Sequence, residues 1–79
     1  MIAAPINLLD LRGTPCPLNY VRCRLALEEL SSGDSLHVFL DQGEPKETVV
    51  SGLLGEGHYV EVLYEDSVWI KLMVVCGDS

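Results

Sequence analysis

The chain has 79 residues, of which 48% are hydrophobic, and a formal net charge of −7. That length holds one domain with a small core, no window approaches the roughly 20 apolar residues of a membrane span, and the acidic balance argues against general binding to a phosphate backbone. Three cysteines cannot all pair and lack the dense, even-numbered framework of small secreted folds, so a reducing compartment is expected.

The N-terminal stretch has no basic start or cleavage pattern, and Asp10 interrupts its apolar run, so a cytoplasmic location is expected. Residues 1–5 are expected to be flexible, 6–76 to form a single domain and 77–79 to be a tail. Ile6 to Leu11 reads as a short apolar strand, followed by the turn-prone Gly13-Thr14-Pro15. Pro17 to about Ser31 reads as a helix, stopped by Ser31-Ser32-Gly33-Asp34. Ser35 to Asp41 alternates as a half-buried strand. Gln42-Gly43-Glu44-Pro45 opens a second helix through about Leu54, with Glu44 and Glu47 suited to its N-terminal end. Gly55-Glu56-Gly57 stops it. Two alternating strands follow, about His58–Tyr64 and Val68–Val75, joined by Glu65-Asp66-Ser67.

The order β-α-β-α-β-β predicts an α/β two-layer sandwich, a four-stranded mixed sheet with both helices on one face. The pattern assigns Leu36, Val38, Leu40, Val60, Val62, Val68, Ile70 and Leu72 to the helix-facing side. Phe39, Tyr59, Leu63, Trp69 and Met73 then fall on the opposite face, as cross-strand packing or as a surface for a homodimer or another partner. On the first helix Tyr20, Cys23, Leu27 and Leu30 make a core stripe, which reads Cys23 as a small buried hydrophobe. Leu18, Val21 and Leu25 make a second stripe on nearly the opposite face, either packed under the second helix or exposed for docking.

Cys16 and Pro17 stand where the first strand gives way to the first helix. Proline suits the first helical position and pushes the residue before it out of helical angles, so Cys16 belongs at or just outside the helix start. There the first-turn N–H groups and the helix dipole favour thiolate over thiol, which makes the sulfur a candidate nucleophile. Residues 1–24 carry three arginines against one aspartate, while residues 25–79 carry two lysines against eleven acids. Arg12, Arg22 and Arg24 therefore concentrate positive charge near Cys16 in sequence, as surface groups or as contacts for an anion or an acidic partner. Cys76 near the end of the last strand has either no role or that of a mobile thiol resolving a modified Cys16. His37 and His58 match no zinc spacing, so no metal is expected. With no Cys-x-x-Cys pair, no phosphate loop and no evident base, a lone activated thiol suits a group carrier.

Leu9-Asp10-Leu11-Arg12-Gly13 followed by Cys16-Pro17-Leu18-Asn19 resembles the signature of the TusA/SirA-like sulfurtransferase family. The resemblance runs on through Arg24, Gly33-Asp34, Leu36–Asp41 and Gly57-His58, essentially the whole domain. It implies the same two-layer fold and a persulfide sulfur carried on Cys16 from a donor protein, desulfurase-like or rhodanese-like, to an acceptor protein. Arg12, Gly13, Pro17 and Asn19 would shape the site, and Arg22 and Arg24 would supply electrostatic or partner contacts. No cofactor, no membrane and no direct nucleic-acid contact is implied. The family usually carries Cys-Pro-x-Pro, whereas here Asn19 takes the last position and can donate and accept hydrogen bonds near the sulfur. A non-catalytic regulatory or protein-interaction module of the same fold stays open. A C-terminal thiocarboxylate carrier does not fit a chain ending Gly77-Asp78-Ser79, without a terminal Gly-Gly.

Overall fold

The computed structural model describes residues 7–77. The readings for residues 1–6, Asp78 and Ser79 lie outside them. The elements are β1 (Asn7–Asp10), α1 (Leu18–Glu28), β2 (Ser35–Asp41), α2 (Glu44–Gly55), β3 (Tyr59–Glu65) and β4 (Trp69–Val75). The expected order holds, with α1 about one turn shorter at its C-terminal end. Pro17 is the N-cap and not the first helical residue, so the helix starts one position later than expected. Among the described residues no helix is long and apolar enough to cross a membrane.

The sheet order is β1-β2-β4-β3. β1 runs parallel to β2, and β4 is antiparallel to both β2 and β3, which leaves β3 parallel to β2. Both helical crossovers therefore join parallel strands and step the same way across the sheet. Crossovers of one hand then place α1 and α2 on one face.

That face is the core. Leu36, Val38 and Leu40 of β2 and Ile70, Leu72 and Val74 of β4 meet Cys23 and Leu27 of α1, Val49 and Leu53 of α2, and Leu11. Each large aliphatic side chain so buried contributes roughly 1.5–3 kcal/mol against the entropy of ordering the chain. The two helices meet where Gly52 faces Tyr20. A Cβ on Gly52 would stand 2.5 Å from the tyrosine ring, so glycine is what allows the approach.

Two of the residues assigned to the helix-facing side are not buried, although Val62 shares the face of its partner Leu72. Val62, 48% exposed, lies on edge strand β3, and Val68, 66% exposed, precedes β4. Val62 pairs with Leu72 and Tyr64 with Lys71, so the β3–β4 register shifts between them. The irregularity carries Tyr64 to the outer face, where its ring centroid lies 4.8 Å from that of Trp69. An alternating pattern cannot anticipate this, because one extra residue exchanges the faces of everything after it. Phe39 completes the cluster, 5.4 Å from Trp69. The Arg12 guanidinium lies over Phe39 and Trp69 and the Lys71 ammonium over Phe39. The outer face is thus aromatic but partly covered by its own cations.

Candidate functional site

The loop between β1 and α1 is pinned to the end of β2. Leu11 N–H donates to the Phe39 carbonyl at 2.8 Å, which extends the parallel pairing one residue beyond β1. Gly13 then turns the chain with φ +79, where residues with side chains are strained. Its N–H donates to Asp41 Oδ2 at 2.7 Å. Thr14 N–H closes the turn onto the Leu11 carbonyl at 3.0 Å. Cys16 follows, exposed, joined to Pro17 by a cis peptide bond.

The first turn of α1 is occupied mostly by its own groups. Asn19 N–H donates to the Pro15 carbonyl and Val21 N–H to the Pro17 carbonyl, each at 3.1 Å. Tyr20 N–H donates to Asn19 Oδ1 at 2.7 Å. The expectation of several free helix-terminal N–H groups at the sulfur is therefore revised. What reaches Cys16 Sγ is the side chain of Asn19, whose Nδ2 donates to it at 3.4 Å. Asn19 itself is fully buried.

The arginines are distributed differently from their positions in sequence. Arg12 grips both carboxylate oxygens of Asp10 through Nε at 2.9 Å and Nη2 at 2.8 Å. The Arg12 side chain, with its backbone N–H, draws the Asp10 carboxyl down to about 2. Arg12 thereby belongs to the outer sheet face, opposite the helices. Arg24 Nε pairs with Glu56 Oε2 at 3.2 Å. Tyr20 OH donates to that same oxygen, and the carboxylate raises the Tyr20 hydroxyl above its ordinary range. Arg22 stays exposed on α1. The structure thus gathers Cys16, Pro17, Asn19 and the Gly13 turn, and engages Arg12 and Arg24 elsewhere.

The other two thiols sit in different surroundings. Cys23 is fully buried, and loss of solvation pushes its thiol up to about 12. Cys76 Sγ lies 3.8 Å from the Leu27 carbonyl. Its backbone is held by Asp34 and Gly33 through two hydrogen bonds of 2.8 Å. From Leu18 to Leu27 the helix rises about 14 Å, so Cys76 cannot meet Cys16 within one folded chain and the resolving role is withdrawn. It borders a cleft of about 720 Å³ lined among others by Arg24, Glu56 and His58. Among the described residues no cluster of His, Cys, Asp or Glu is arranged to hold a metal.

Asp41 and Glu56 are missed by the linear reading. Asp41 ends β2 and holds Gly13 only because β1 and β2 are neighbours. Glu56 reads as part of a helix stop, yet it ties Tyr20 and Arg24 of α1 to the end of α2.

The chain is similar in sequence and fold to known proteins. A family model described as sulfurtransferase TusA matches residues 7–75. A protein of Archaeoglobus fulgidus, provisionally named a sulfur carrier protein, is 38% identical over 65 residues, 82% of this chain and 72% of the relative. The crystal structure of a SirA-like protein from Desulfitobacterium hafniense superposes with a TM-score of 0.77 at 27% identity, over 92% of this chain and all of that one.

Proposed function

Because the chain belongs to the TusA sulfurtransferase family and a relative from Archaeoglobus fulgidus is named a sulfur carrier protein, we propose that Cys16 relays a persulfide sulfur between a donor protein and an acceptor protein. The Cys16 thiolate attacks the outer sulfur of the donor's persulfide, takes it as Cys16–S–SH, and releases the donor cysteine as a thiolate. An acceptor thiolate then repeats the exchange. The chemistry parallels thiol–disulfide exchange, whose rate depends on thiolate fraction, nucleophilicity and access.

The observation that carries this reading is the contrast among the three thiols. Cys16 is exposed, with an amide donor at its sulfur, whereas Cys23 is sealed in the core and Cys76 is tucked against the Leu27 carbonyl. Access for a macromolecular partner is supported by Leu18, Val21 and Leu25, which are exposed along α1 rather than packed under α2. Arg22 on the same helix adds charge for an acidic partner.

The test is intact-mass and peptide mass spectrometry after incubation with a persulfide donor, comparing wild type with Cys16→Ser, Cys23→Ser and Cys76→Ser. One added sulfur that maps to Cys16 and disappears only in Cys16→Ser is the expected result. No loading, or equal loading on all three cysteines, transfers the function to a non-catalytic interaction module of the same fold.

A further inference from the structure

Asn19 is the fully buried polar residue among those described, and its side chain reaches the exposed sulfur from inside the fold. A buried primary amide must satisfy an acceptor end and a donor end. Here Oδ1 accepts Tyr20 N–H at 2.7 Å, which leaves Nδ2 directed to Cys16 Sγ at 3.4 Å. The reverse orientation would set two donors against each other at Tyr20 N–H. The helix backbone therefore fixes which end of the amide meets the sulfur, whatever the sulfur carries.

We propose that Asn19 is a catalytic residue of the relay whose Nδ2–H stabilises Sγ as the leaving group when the carried sulfur is handed on. This rests on the relay reading of Cys16. In that step the acceptor thiolate attacks the outer sulfur of Cys16–Sγ–S–H and a new S–S bond forms. The Sγ–S bond breaks, its electron pair goes to Sγ, and the proton stays with the transferred sulfur. No external oxidant or reductant is needed, because one S–S bond replaces another. In the loaded protein Sγ is a bridging sulfur and a weak acceptor. In the transition state it gains negative charge, so the Asn19 hydrogen bond is stronger there than in the ground state, which is the condition for acceleration. Loading differs. There Sγ is the attacking thiolate and loses negative charge as the new S–S bond forms, so the same hydrogen bond is no stronger in the transition state than before it. Asn19 thus acts mainly on release, an asymmetry that a merely structural role would not produce.

Cyanide is the probe. It attacks the outer sulfur, departs as thiocyanate and leaves Sγ as a thiolate, so thiocyanate appearance reads release directly. Persulfide-loaded wild type is compared with loaded Asn19→Leu, which keeps the shape and removes the donor. Release about tenfold slower, on the scale of a hydrogen bond to a charged sulfur, with loading changed less, is the expected result. Silence of Cys23 toward iodoacetamide reports an intact fold in the same sample. Release at the wild-type rate with Cys23 silent overturns the proposal.

A second measurement needs no variant. In wild-type protein the side-chain amide resonances of Asn19 should move when Cys16 is alkylated with iodoacetamide. Those of Asn7, which donates to the Ser35 carbonyl at 3.2 Å, should not. An unmoved Asn19 amide overturns the contact even if Asn19→Leu does not fold. Wild type that takes up no sulfur refutes the relay, whereas loaded wild type with an indifferent Asn19→Leu refutes only the role of Asn19.

Discussion

The two ends of α1 each present a cysteine, and they treat it oppositely. At the N-terminal end Cys16 is exposed, the loop before it is pinned by Asp41, and the Asn19 amide donates to its sulfur. At the C-terminal end Cys76 is half-buried, with Sγ 3.8 Å from the Leu27 carbonyl. The charged groups Arg24, Glu56 and His58 collect around the Cys76 end, not around Cys16. The contrast is one of side chain against backbone, since the buried Asn19 amide offers a donor at one end and the helix backbone offers a carbonyl at the other. Proximity of arginines in sequence is a poor guide to where positive charge acts, because a guanidinium goes to the nearest carboxylate the fold supplies.

The largest test of this contrast is differential labelling. With its thiol at about 12, Cys23 exposes roughly one thiolate in ten thousand at pH 8, and it is also sealed from reagent. Iodoacetamide followed by peptide mapping should modify Cys16 first, Cys76 more slowly and Cys23 only on unfolding. Equal rates at Cys16 and Cys76 would erase the difference between the two ends.

Gly77→Ala should damage the Cys76 end alone. The new Cβ would be driven into the Gly57 carbonyl, which is backbone and cannot swing aside, at a cost of about 1–3 kcal/mol. Thermal unfolding should fall by about 4–8 °C for each kcal/mol in a domain of this size, with the Cys16 alkylation rate unchanged. Gly13→Ala attacks the other end. At φ +79 a Cβ costs about 1–2 kcal/mol, and because this turn sets the path to Cys16, sulfur loading should slow together with the loss of stability.

Glu56→Gln asks whether the ends communicate through Tyr20. It removes the charge facing Arg24 but keeps an acceptor for Tyr20 OH, and the pair is solvent-exposed, so a loss of less than about 1 kcal/mol is expected. Urea titration measures it, and an unchanged loading rate would establish the ends as independent. The smallest effects are in pH. Asp10 is held down to about 2 by Arg12, so its contribution is present above the ordinary carboxylate range near 4 and lost as pH falls toward 2. Cys23 is shifted the other way. Its contribution is complete below the ordinary thiol range and lost as pH rises from about 9 toward 12. Thermal melts of wild type and Asp10→Asn at pH 3 and pH 7 check the acid limb, where the gap between the two proteins should narrow at pH 3 because the unfolded chain's Asp10 is by then largely protonated. Melts of wild type and Cys23→Ala at pH 8 and pH 11 check the alkaline limb, where wild type should lose more of its stability than the variant.

Much of this architecture was readable before folding. The order of elements follows from runs of apolar residues at period two or near 3.6, broken by Gly13, Gly33, Gly43 and Gly57, all four of which adopt positive φ. The Cys23–Leu27 stripe and the place of Cys16 just outside α1 follow from helical spacing and from Pro17. These are properties of contiguous residues, and local steric and hydrophobic patterning is enough to decide them. The tertiary structure alone decided the rest. It set the strand order, the register shift that turns Tyr64 to the outer face, the capture of Arg12 by Asp10 and of Arg24 by Glu56, the distance between Cys76 and Cys16, and the burial that points Asn19 at the sulfur. Each of these depends on which segments become neighbours in space, and a hydrogen bond or ion pair is chosen by that neighbourhood rather than by position along the chain.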